Sequence, residues 1–493
     1  MWPEREATGR TFCWGLRTRV RSPSATRIST SARLTSYDAY FTDDWRVGAG
    51  FTLNAGARWE YTSPIVEKYG RLVNLDITEG FRRQTPVLGS SPTGALTGRE
   101  YPDSLVRPDK RGIQPRIGLS WRPIFGSSLL IRAGYGVTYN TSVYNSIATQ
   151  MAQQSPLSKS LSVQNSPLNP LTLANGFNTT PGVTPNTFAI DPDFRIGNAQ
   201  TWQVSAQKDL PAAMVMTATY SGIKGTRAVQ AFLPNTYPAG AVDPCPLCPS
   251  GFTFLTSNGN STRESGVLQL RRRLHNGLTA TAQYTYARAY DNAALGGKGQ
   301  GNSVIAQNWL DLSAERGPSS FDQRHQLTLQ TQYSSGVGVR GGALLHGWKG
   351  AALKGWTLIS NITMGSGLPA SPIYVSAVKG TGVTGTIRPD TTGASVQAAP
   401  PGRHLNPAAY AAPKAGQWGT AGRNSIVGPS QFIMNASLGR TFGEKLDFRF
   451  DATNALNHVT YPSWNTVVSS AQFGLPMTAN AMRSLQATLR WRF

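Results

Sequence analysis

The sequence predicts an all-β protein whose antiparallel strands form a transmembrane β-barrel. Three observations favour this fold. Segments of about ten residues alternate between apolar and polar side chains, the connections between them alternate between short and long, and aromatic residues collect at the segment ends. Of the 493 residues 15% are charged, the mean hydropathy is −0.28, and no stretch of roughly 18 residues is apolar throughout. A helical membrane protein is therefore excluded, because each of its spans needs such a stretch.

Thirteen segments show the alternation, and its period of two gives each segment one apolar and one polar face. In 51–61 the odd-numbered residues from Phe51 to Tyr61 are apolar, whereas Arg58 and Glu60 fall on the other face. A length of about ten residues is what a tilted strand needs to cross a bilayer. The predicted strands are 36–45, 51–61, 115–122, 129–139, 199–208, 213–222, 264–274, 278–289, 325–334, 355–364, 431–442, 446–454 and 484–493.

The connections alternate in length, and this asymmetry is typical of outer-membrane barrels, which have short periplasmic turns and long extracellular loops. Asn276-Gly277 predicts a tight hairpin within one of the short turns. A connection of middle length, 335–354, stands where a short one is due, and the last strand then runs inward to the periplasm. The short turns are 46–50, 123–128, 209–212, 275–277 and 443–445, and the long loops are 62–114, 140–198, 223–263, 290–324, 365–430 and 455–483.

A soluble all-β protein is the alternative to a membrane barrel. Strands of soluble sandwiches also alternate, but they are usually near five or six residues long and their loops need not alternate in length. Aromatic residues at strand ends, such as Trp45, Trp59 and Trp121, suit the girdles that outer-membrane barrels place at both membrane interfaces. We therefore favour the membrane barrel.

The first 34 residues differ in composition from the rest. Seven arginines are opposed there only by Glu4 and Glu6, and no apolar stretch of the secretory-signal type is present. An organellar transit peptide is one interpretation, and a disordered or misassigned start is the one we favour. Thirteen strands also conflict with the even number found in single-chain bacterial barrels, and an open sheet would leave unpaired edges in hydrocarbon. We therefore expect the chain to be the C-terminal part of a longer protein.

Several blocks of this sequence resemble TonB-dependent outer-membrane receptors, and the most similar subgroup is the Oar-like one with a carboxypeptidase-regulatory-like N-terminal domain. The resemblance covers about 36–493. The blocks, in order, are YFTDDWRV at 40–47, LNAGARWEY at 53–61, PRIGLSW at 115–121, IRAGYGV at 131–137, FDQRH at 321–325, GSGLP at 365–369, NSIVGP at 424–429 and ATNALNH at 452–458.

The resemblance implies a 22-stranded barrel filled by an N-terminal plug, through which a large solute passes when the inner-membrane protein TonB pulls on the plug. We expect about 13 of those 22 strands in this chain. Residues 1–35 are then the disordered or misassigned start, and residues 36–493 are the C-terminal part of the barrel without a plug domain. The resemblance also implies that the terminal Phe493 is the signal read by the barrel-assembly machinery, and that TonB is a partner only if the full-length protein has a plug.

Catalytic chemistry is not indicated, and we expect no enzyme activity, no cofactor and no metal site. No H-E-x-x-H, G-x-x-x-x-G-K-[ST] or G-x-S-x-G motif occurs. Cys245 and Cys248 form a C-x-x-C pair in the loop 223–263, for which zinc would need a second pair and a redox role a βαβ unit. We interpret them as a disulfide in an oxidising compartment, with free thiols as the alternative. His325, after an Asp and an Arg, is interpreted as a strand start at the extracellular rim, with a lone ligand as the alternative.

The net charge of +22 does not indicate nucleic-acid binding, because most basic residues of the strands are spread over alternate positions and no RNP-like aromatic motif is present. We expect the partners of the chain to be outer-membrane lipid and lipopolysaccharide, the barrel-assembly machinery and an unknown large solute. The expected location is the bacterial cell outer membrane. A passive porin or a surface adhesin built on a similar barrel is the alternative function, and loops 140–198 and 365–430 are the expected ligand contacts.

Overall fold

The computed structural model describes residues 11–14, 31–157, 161–162, 184–185, 188–249, 252–292, 305–376, 378–379, 386–443 and 445–492. Each of the predicted strands corresponds to a long strand of the structure, so the all-β antiparallel prediction is confirmed. The thirteen strands are β1 Ser36–Gly48, β2 Phe51–Thr62, β3 Ile113–Trp121, β4 Leu130–Tyr139, β5 Asn198–Leu210, β6 Met214–Phe232, β7 Thr253–His275, β8 Leu278–Asp291, β9 His325–Ser334, β10 Trp356–Gly365, β11 Gln431–Phe442, β12 Leu446–Thr453 and β13 Ser484–Trp491.

These strands form one sheet in which each is antiparallel to its neighbours in sequence. The sheet has 16 strands, because Gly317–Pro318 pairs with the end of β8, Phe188–Ile190 runs parallel to the start of β7, and Thr11–Trp14 is antiparallel to β1. Thr11–Trp14 lies within the segment 1–35, and it brings the strands on the continuous path to fourteen, an even number. The division of the chain at residue 35 stays a prediction.

The register keeps the two faces separate across the whole sheet. Arg116 on β3 lies opposite Gly56 on β2 and Gly136 on β4, whereas Ile117 next to it lies opposite Ala55 and Tyr135. The same parity continues strand by strand to β13, where arginine and threonine lie on the first face and tryptophan and leucine on the second. We call the first the polar face and the second the apolar face. Since a slip of one residue would exchange the faces, burial of one face in lipid fixes the register.

Strands β6 and β7 extend well beyond the predicted 213–222 and 264–274, so the predicted loop 223–263 shrinks to 233–252. Two register shifts, between Thr226 and Ala228 and between Ala228 and Gln230, interrupt their pairing. A bulge places an extra residue in one strand and breaks the period of two. Above the bilayer a strand also needs no lipid-facing apolar side chain, so the pattern that reveals the membrane strands is absent there.

The short turns lie at one end of the sheet, and the predicted hairpin at Asn276-Gly277 is present. These two residues have φ angles of 52° and 74°, the left-handed conformation that a type I′ turn requires and that Asn and Gly adopt most readily. The middle-length connection 335–355 lies at the same end, because the backbone N–H groups of Asn276 and Gly277 donate to the carbonyls of Arg340 and Val339.

In the described connections there are two α-helices, α1 Val143–Ala152 at the long-loop end and α2 Gly347–Leu353 at the short-turn end. Neither helix, in the described residues, has the length and apolar composition needed to cross a membrane. The 3₁₀ turns are Glu79–Phe81, Leu312–Glu315, Val339–Gly341 and Pro407–Ala409. The other short strands are Ala32–Arg33, Val66–Glu67, Val73–Ile77, Gln84–Leu88, Leu161–Ser162, Thr184–Pro185, Tyr237–Pro238, Pro369–Ala370, Tyr374–Val375, Val378–Lys379, Thr386–Ile387, Asp390–Thr391, Tyr410–Ala411 and Ile426–Val427.

Buried apolar side chains concentrate in the long loops. We call the described parts of 63–112, 140–197, 233–252, 292–324, 366–430 and 454–483 the loop cap. One cluster joins the first two of these loops, where Tyr144, Ile147 and Met151 of α1 pack with Leu105 and Phe194. A second cluster joins the last two through residues such as Leu405 and Phe473. The loop cap is thus a folded layer with its own core.

At one position on the apolar face, a tryptophan ring lies over the bare backbone of a glycine on the next strand. The indole ring of Trp202 on β5 covers Gly222 on β6, and a Cβ atom added to Gly222 would clash with Cε2 of that ring. Gly266 on β7 lies on the same face, but a Cβ atom added there would meet nothing within 4 Å. Only the first glycine is required by packing.

Candidate functional site

The polar face of the sheet is the candidate functional surface, and neutral amides dominate the middle of it. Amide and hydroxyl groups offer both donors and acceptors without the desolvation cost of a charge. Gln269 on β7 donates to Gln283 on β8 at 3.3 Å, so these two amides of neighbouring strands satisfy each other. The amides in the middle of this face include Gln203, Gln207, Gln269, Gln283, Gln326, Gln330, Gln332, Asn361 and Asn435.

Ion pairs occupy the two sides of the polar face. Near the first strands, Nη2 of Arg58 lies 2.8 Å from Asp38 and 3.6 Å from Glu60. Near the last strands, Arg449 lies 2.8 Å from Asp451. The Arg58–Asp38 pair joins the adjacent strands β2 and β1. Arg58–Glu60 and Arg449–Asp451 each join two residues of one strand. In both places the opposite charges lie close together, so they offer little net charge to a ligand.

A groove on the polar face of β3–β6 contains two arginines that form no ion pair within the described part of the chain. Arg116 and Arg132 have no ion-pair partner among the described residues, and glycines at 134 and 136 leave the backbone beside them uncovered. The groove has a volume of about 650 Å³, and Gln203 lines it as well. It combines two cations with bare backbone and amide groups, which suits a polar or anionic group of a solute.

A buried charged network fastens the loop cap to the sheet. The Nη1 atom of Arg388 lies 2.9 Å from both carboxylate oxygens of Glu315, and Arg423 forms an ion pair with Asp291 at the end of β8. The Nε atom of Arg423 also donates to the Glu315 carbonyl at 2.8 Å. The side chain of Arg423 is 3% exposed and that of Asp291 is fully buried. These contacts tie loop 366–430 to β8 and to the 3₁₀ turn at 312–315.

Aromatic contacts join the two halves of the loop cap. The centre of the Phe81 ring lies 5.7 Å from that of Phe232, 5.2 Å from that of Phe254 and 5.8 Å from that of Trp309. All three rings are nearly perpendicular to Phe81. The indole N–H of Trp309 donates to the Thr236 carbonyl at 3.0 Å. Edge-on aromatic packing of this kind adds to the energy of burial. The loops above the polar face therefore form one connected layer.

Asp76 is a buried acid that holds one of these loops in shape. Its carboxylate accepts hydrogen bonds from the backbone N–H of Leu96 at 2.8 Å, from Thr97 and from the Tyr101 hydroxyl at 3.1 Å. Burial raises the pKa of Asp76, but these hydrogen bonds together outweigh burial and leave its pKa lowered. Burial, with the Asp76 charge as the second cause, raises the pKa of Tyr101. Asp76 is therefore a structural anion of the loop 63–112.

Cys245, Cys248 and His325, which the sequence analysis singled out, lie apart from the polar face. The Sγ atoms of Cys245 and Cys248 lie 2.06 Å apart at the tip of the connection 233–252. His325 is the first residue of β9, on the apolar face, with its Nδ1 atom 2.8 Å from the Tyr284 hydroxyl. Phe493 lies outside the described residues. The role of the two cysteines and of Phe493 stays a prediction.

The network of Asp291, Glu315, Arg388 and Arg423 was not predicted from the sequence. Its two basic residues lie more than 70 positions from their acidic partners, and each looks like an ordinary loop charge. A buried charge leaves no mark in a single sequence, because only the packing around it decides whether water reaches it. Within the described ranges, no group of three or more His, Cys, Asp or Glu side chains is placed to hold a metal ion.

Comparison with known proteins adds a family and a set of distant structural relatives. A family model described as an outer membrane beta barrel domain matches residues 6–486. No curated protein matches the chain.

Among solved structures, the chain is similar to three outer-membrane proteins at low identity. These are the outer membrane transporter YddB from Escherichia coli (12% identity, TM-score 0.47), the ferric-catecholate import receptor Fiu from K12 E. coli (11%, 0.44) and the siderophore receptor PiuA from Acinetobacter baumannii (11%, 0.45). Each similarity covers 94% of this chain and respectively 55%, 45% and 44% of the other. The chain thus spans roughly half the length of these proteins.

Proposed function

Because the chain belongs to the outer membrane beta barrel domain family, we propose that it forms part of the wall of a TonB-dependent receptor through which a solute crosses the outer membrane. The observation that supports this proposal is the two-faced sheet beneath the loop cap. The apolar face is suited to lipid, and the polar face offers amides and, in the groove of β3–β6, Arg116 and Arg132 to a solute. We expect the route to require binding and release but no covalent chemistry.

The polar face supports this proposal through its chemistry. Water is retained along a wall of amides and hydroxyls, so a polar solute exchanges hydrogen bonds with water for similar ones with the wall. A solute that bound too tightly would not leave, and neutral amides offer weak, repeated contacts. Arg116 and Arg132 add a local preference for anionic groups, because each presents a charge that no protein acid neutralises within the described residues.

The loop cap is the proposed place of first contact with the solute. The described parts of 140–197 and 366–430 each contain buried apolar residues, which would let them present a fixed outer surface at small entropic cost. A loop without a core would lose more conformational freedom on binding.

A fractionation experiment tests the membrane part of the proposal. The full chain, produced in a bacterial host with a signal sequence added, is expected in the outer-membrane fraction. On gels it should migrate faster unheated than boiled, because the folded barrel binds less detergent. Recovery in the soluble fraction, with the same mobility before and after boiling, would contradict the proposal.

Transport is tested by comparing the unchanged chain with Arg116→Gln/Arg132→Gln and with Lys110→Gln/Lys414→Gln. The last variant loses the same charge from exposed positions in the loop cap. In planar bilayers we expect current with an anion preference that only the first variant loses. Equal selectivity in all three proteins would exclude the polar face as the route.

A passive porin or an adhesin on a similar barrel is the second candidate function. Uptake measured in cells with and without TonB separates it from an energised receptor, since passive passage does not require TonB. TonB can act only if the full-length protein includes a plug, and the Oar-like subgroup remains part of this proposal.

We also propose that Cys245 and Cys248 form a disulfide at the outer tip of the loop cap and that Phe493 is the barrel-assembly signal. Outer-membrane loops fold in an oxidising compartment, where such a bond persists. The expected partners are outer-membrane lipid, lipopolysaccharide and the barrel-assembly machinery, and we expect no nucleic acid among them.

A further inference from the structure

The connection 335–355 between β9 and β10 carries a net positive charge. It contains Arg340, Lys349 and Lys354 and no Asp or Glu. It lies at the short-turn end of the sheet, which in this family faces the periplasm. None of its basic residues has an ion-pair partner within the described part of the chain. Its charge is therefore available to something outside the protein.

Side chains of the apolar face hold helix α2 of this connection. Arg440 on β11 donates from Nη1 to the Ala352 carbonyl at 2.7 Å and from Nη2 to the Ala351 carbonyl at 2.6 Å. The indole N–H of Trp356 on β10 donates to the Ala352 carbonyl at 2.9 Å. Arg440 and Trp356 are cross-strand partners on the apolar face. Helix α2 thus lies against the lipid-facing side of the wall, at its periplasmic rim.

Both Nη atoms of the Arg440 guanidinium are occupied by hydrogen bonds to α2. Its Cζ atom lies 4.6 Å from the centre of the Phe442 ring and 5.6 Å from that of Trp356, and both of its Nη atoms donate to the last turn of α2. A cation at a helix C-terminus satisfies free carbonyls and interacts favourably with the helix dipole. Arg440 therefore positions the helix, and the two lysines remain for a ligand.

The outer surface of α2 combines apolar and basic groups. Trp348 is 76% exposed, Leu353 is 54% exposed, and the Nζ atom of Lys349 lies 5.8 Å from the centre of the Trp348 ring. Tryptophan prefers the headgroup level of a membrane, and lysine directs its ammonium group toward phosphate there. An exposed indole with Lys349 beside it and Lys354 at the end of the same helix, on the lipid side of a barrel rim, matches an anionic headgroup in both position and charge.

We propose that α2 and its flanking residues 335–355 bind the headgroups of anionic phospholipids in the periplasmic leaflet of the outer membrane. Trp348 and Leu353 enter the interface, and Lys349 and Lys354 contact the headgroup phosphate. The proposal rests on the membrane-spanning sheet and is independent of whether the barrel transports a solute.

The test uses the full chain purified in detergent micelles that contain either phosphatidylglycerol or phosphatidylcholine with identical acyl chains. Native mass spectrometry counts the lipids retained. We expect preferential retention of phosphatidylglycerol by the unchanged protein. In Lys349→Gln/Lys354→Gln that preference should fall by up to about 25-fold, because each cation at an anionic membrane contributes about fivefold in affinity.

The matched control is Lys110→Gln/Lys414→Gln, which removes two exposed lysines from the opposite end of the barrel. It should retain phosphatidylglycerol like the unchanged protein. Heat-modifiable gel mobility checks that every variant is folded. Equal retention of both lipids by the unchanged protein, or equal phosphatidylglycerol retention by folded K349Q/K354Q, would overturn the proposal.

Discussion

Replacing Arg423 with methionine should open the loop cap, because this arginine is the centre of the buried charged network. It forms an ion pair with Asp291, and it also donates to the carbonyls of Asp291 and Glu315. Methionine fills a similar volume, but it leaves a fully buried carboxylate and two carbonyls without their donor. Removing one partner of a buried pair costs about 3–5 kcal/mol, most of which is the desolvation cost of the remaining charge.

That energy appears as easier opening of loop 366–430. Since about 1.4 kcal/mol corresponds to a factor of ten, the open population should rise by between about one hundred and a few thousand fold. When reclosing is faster than cleavage, the rate of proteolysis follows that population. The measurement is the rate at which a dilute protease cleaves within 366–430 in the folded, detergent-solubilised protein.

Two further variants show whether the effect comes from the buried charge. Arg107→Met removes an arginine whose ion pair with Asp193 is exposed, and we expect little change in cleavage, since exposed pairs contribute little. Asp291→Leu/Arg423→Met removes both charges and should recover part of the protection, because no unpaired charge remains. Equal cleavage rates in Arg423→Met and Arg107→Met would refute the reasoning.

Three other measurements test separate features. Gly222→Ala should lower the free energy of unfolding in detergent by about 1–3 kcal/mol, because the new methyl group displaces the Trp202 ring that covers this glycine. Gly266→Ala, the control, should leave that free energy unchanged. Equal effects of the two substitutions would mean that the ring moves away freely. Because the pKa of Asp76 is lowered in the folded protein, its carboxylate stabilises the fold fully above its ordinary pKa of 3.8. This stabilisation is lost as the pH falls through the lower pKa of the folded protein, so pepsin should cleave 63–112 increasingly in that range. Asp76→Asn should remove this pH dependence. Titration of the unfolded, unreduced protein should find two fewer thiols than after reduction, and an unchanged count would disprove the bond between Cys245 and Cys248.

Local pattern was enough to predict the strands of the bilayer. Strand β2 was predicted from its alternate apolar residues, because lipid contacts every second side chain of a membrane strand. The Asn276-Gly277 turn was predicted because its backbone conformation favours these two residue types. The upper parts of β6 and β7 were missed because bulges near Ala228 break the period and no lipid reaches them.

The sequence by itself determined which residues face lipid and which face the interior of the barrel, since a period of two is written in neighbouring residues. Only the tertiary structure decided what the loops do. The burial of Arg423 against Asp291 joins residues far apart in the chain. The position of α2 on the outer wall depends on Arg440, which lies on the second strand after the helix. Contacts of this kind depend on where the sheet brings distant segments together, and no spacing within one segment records that.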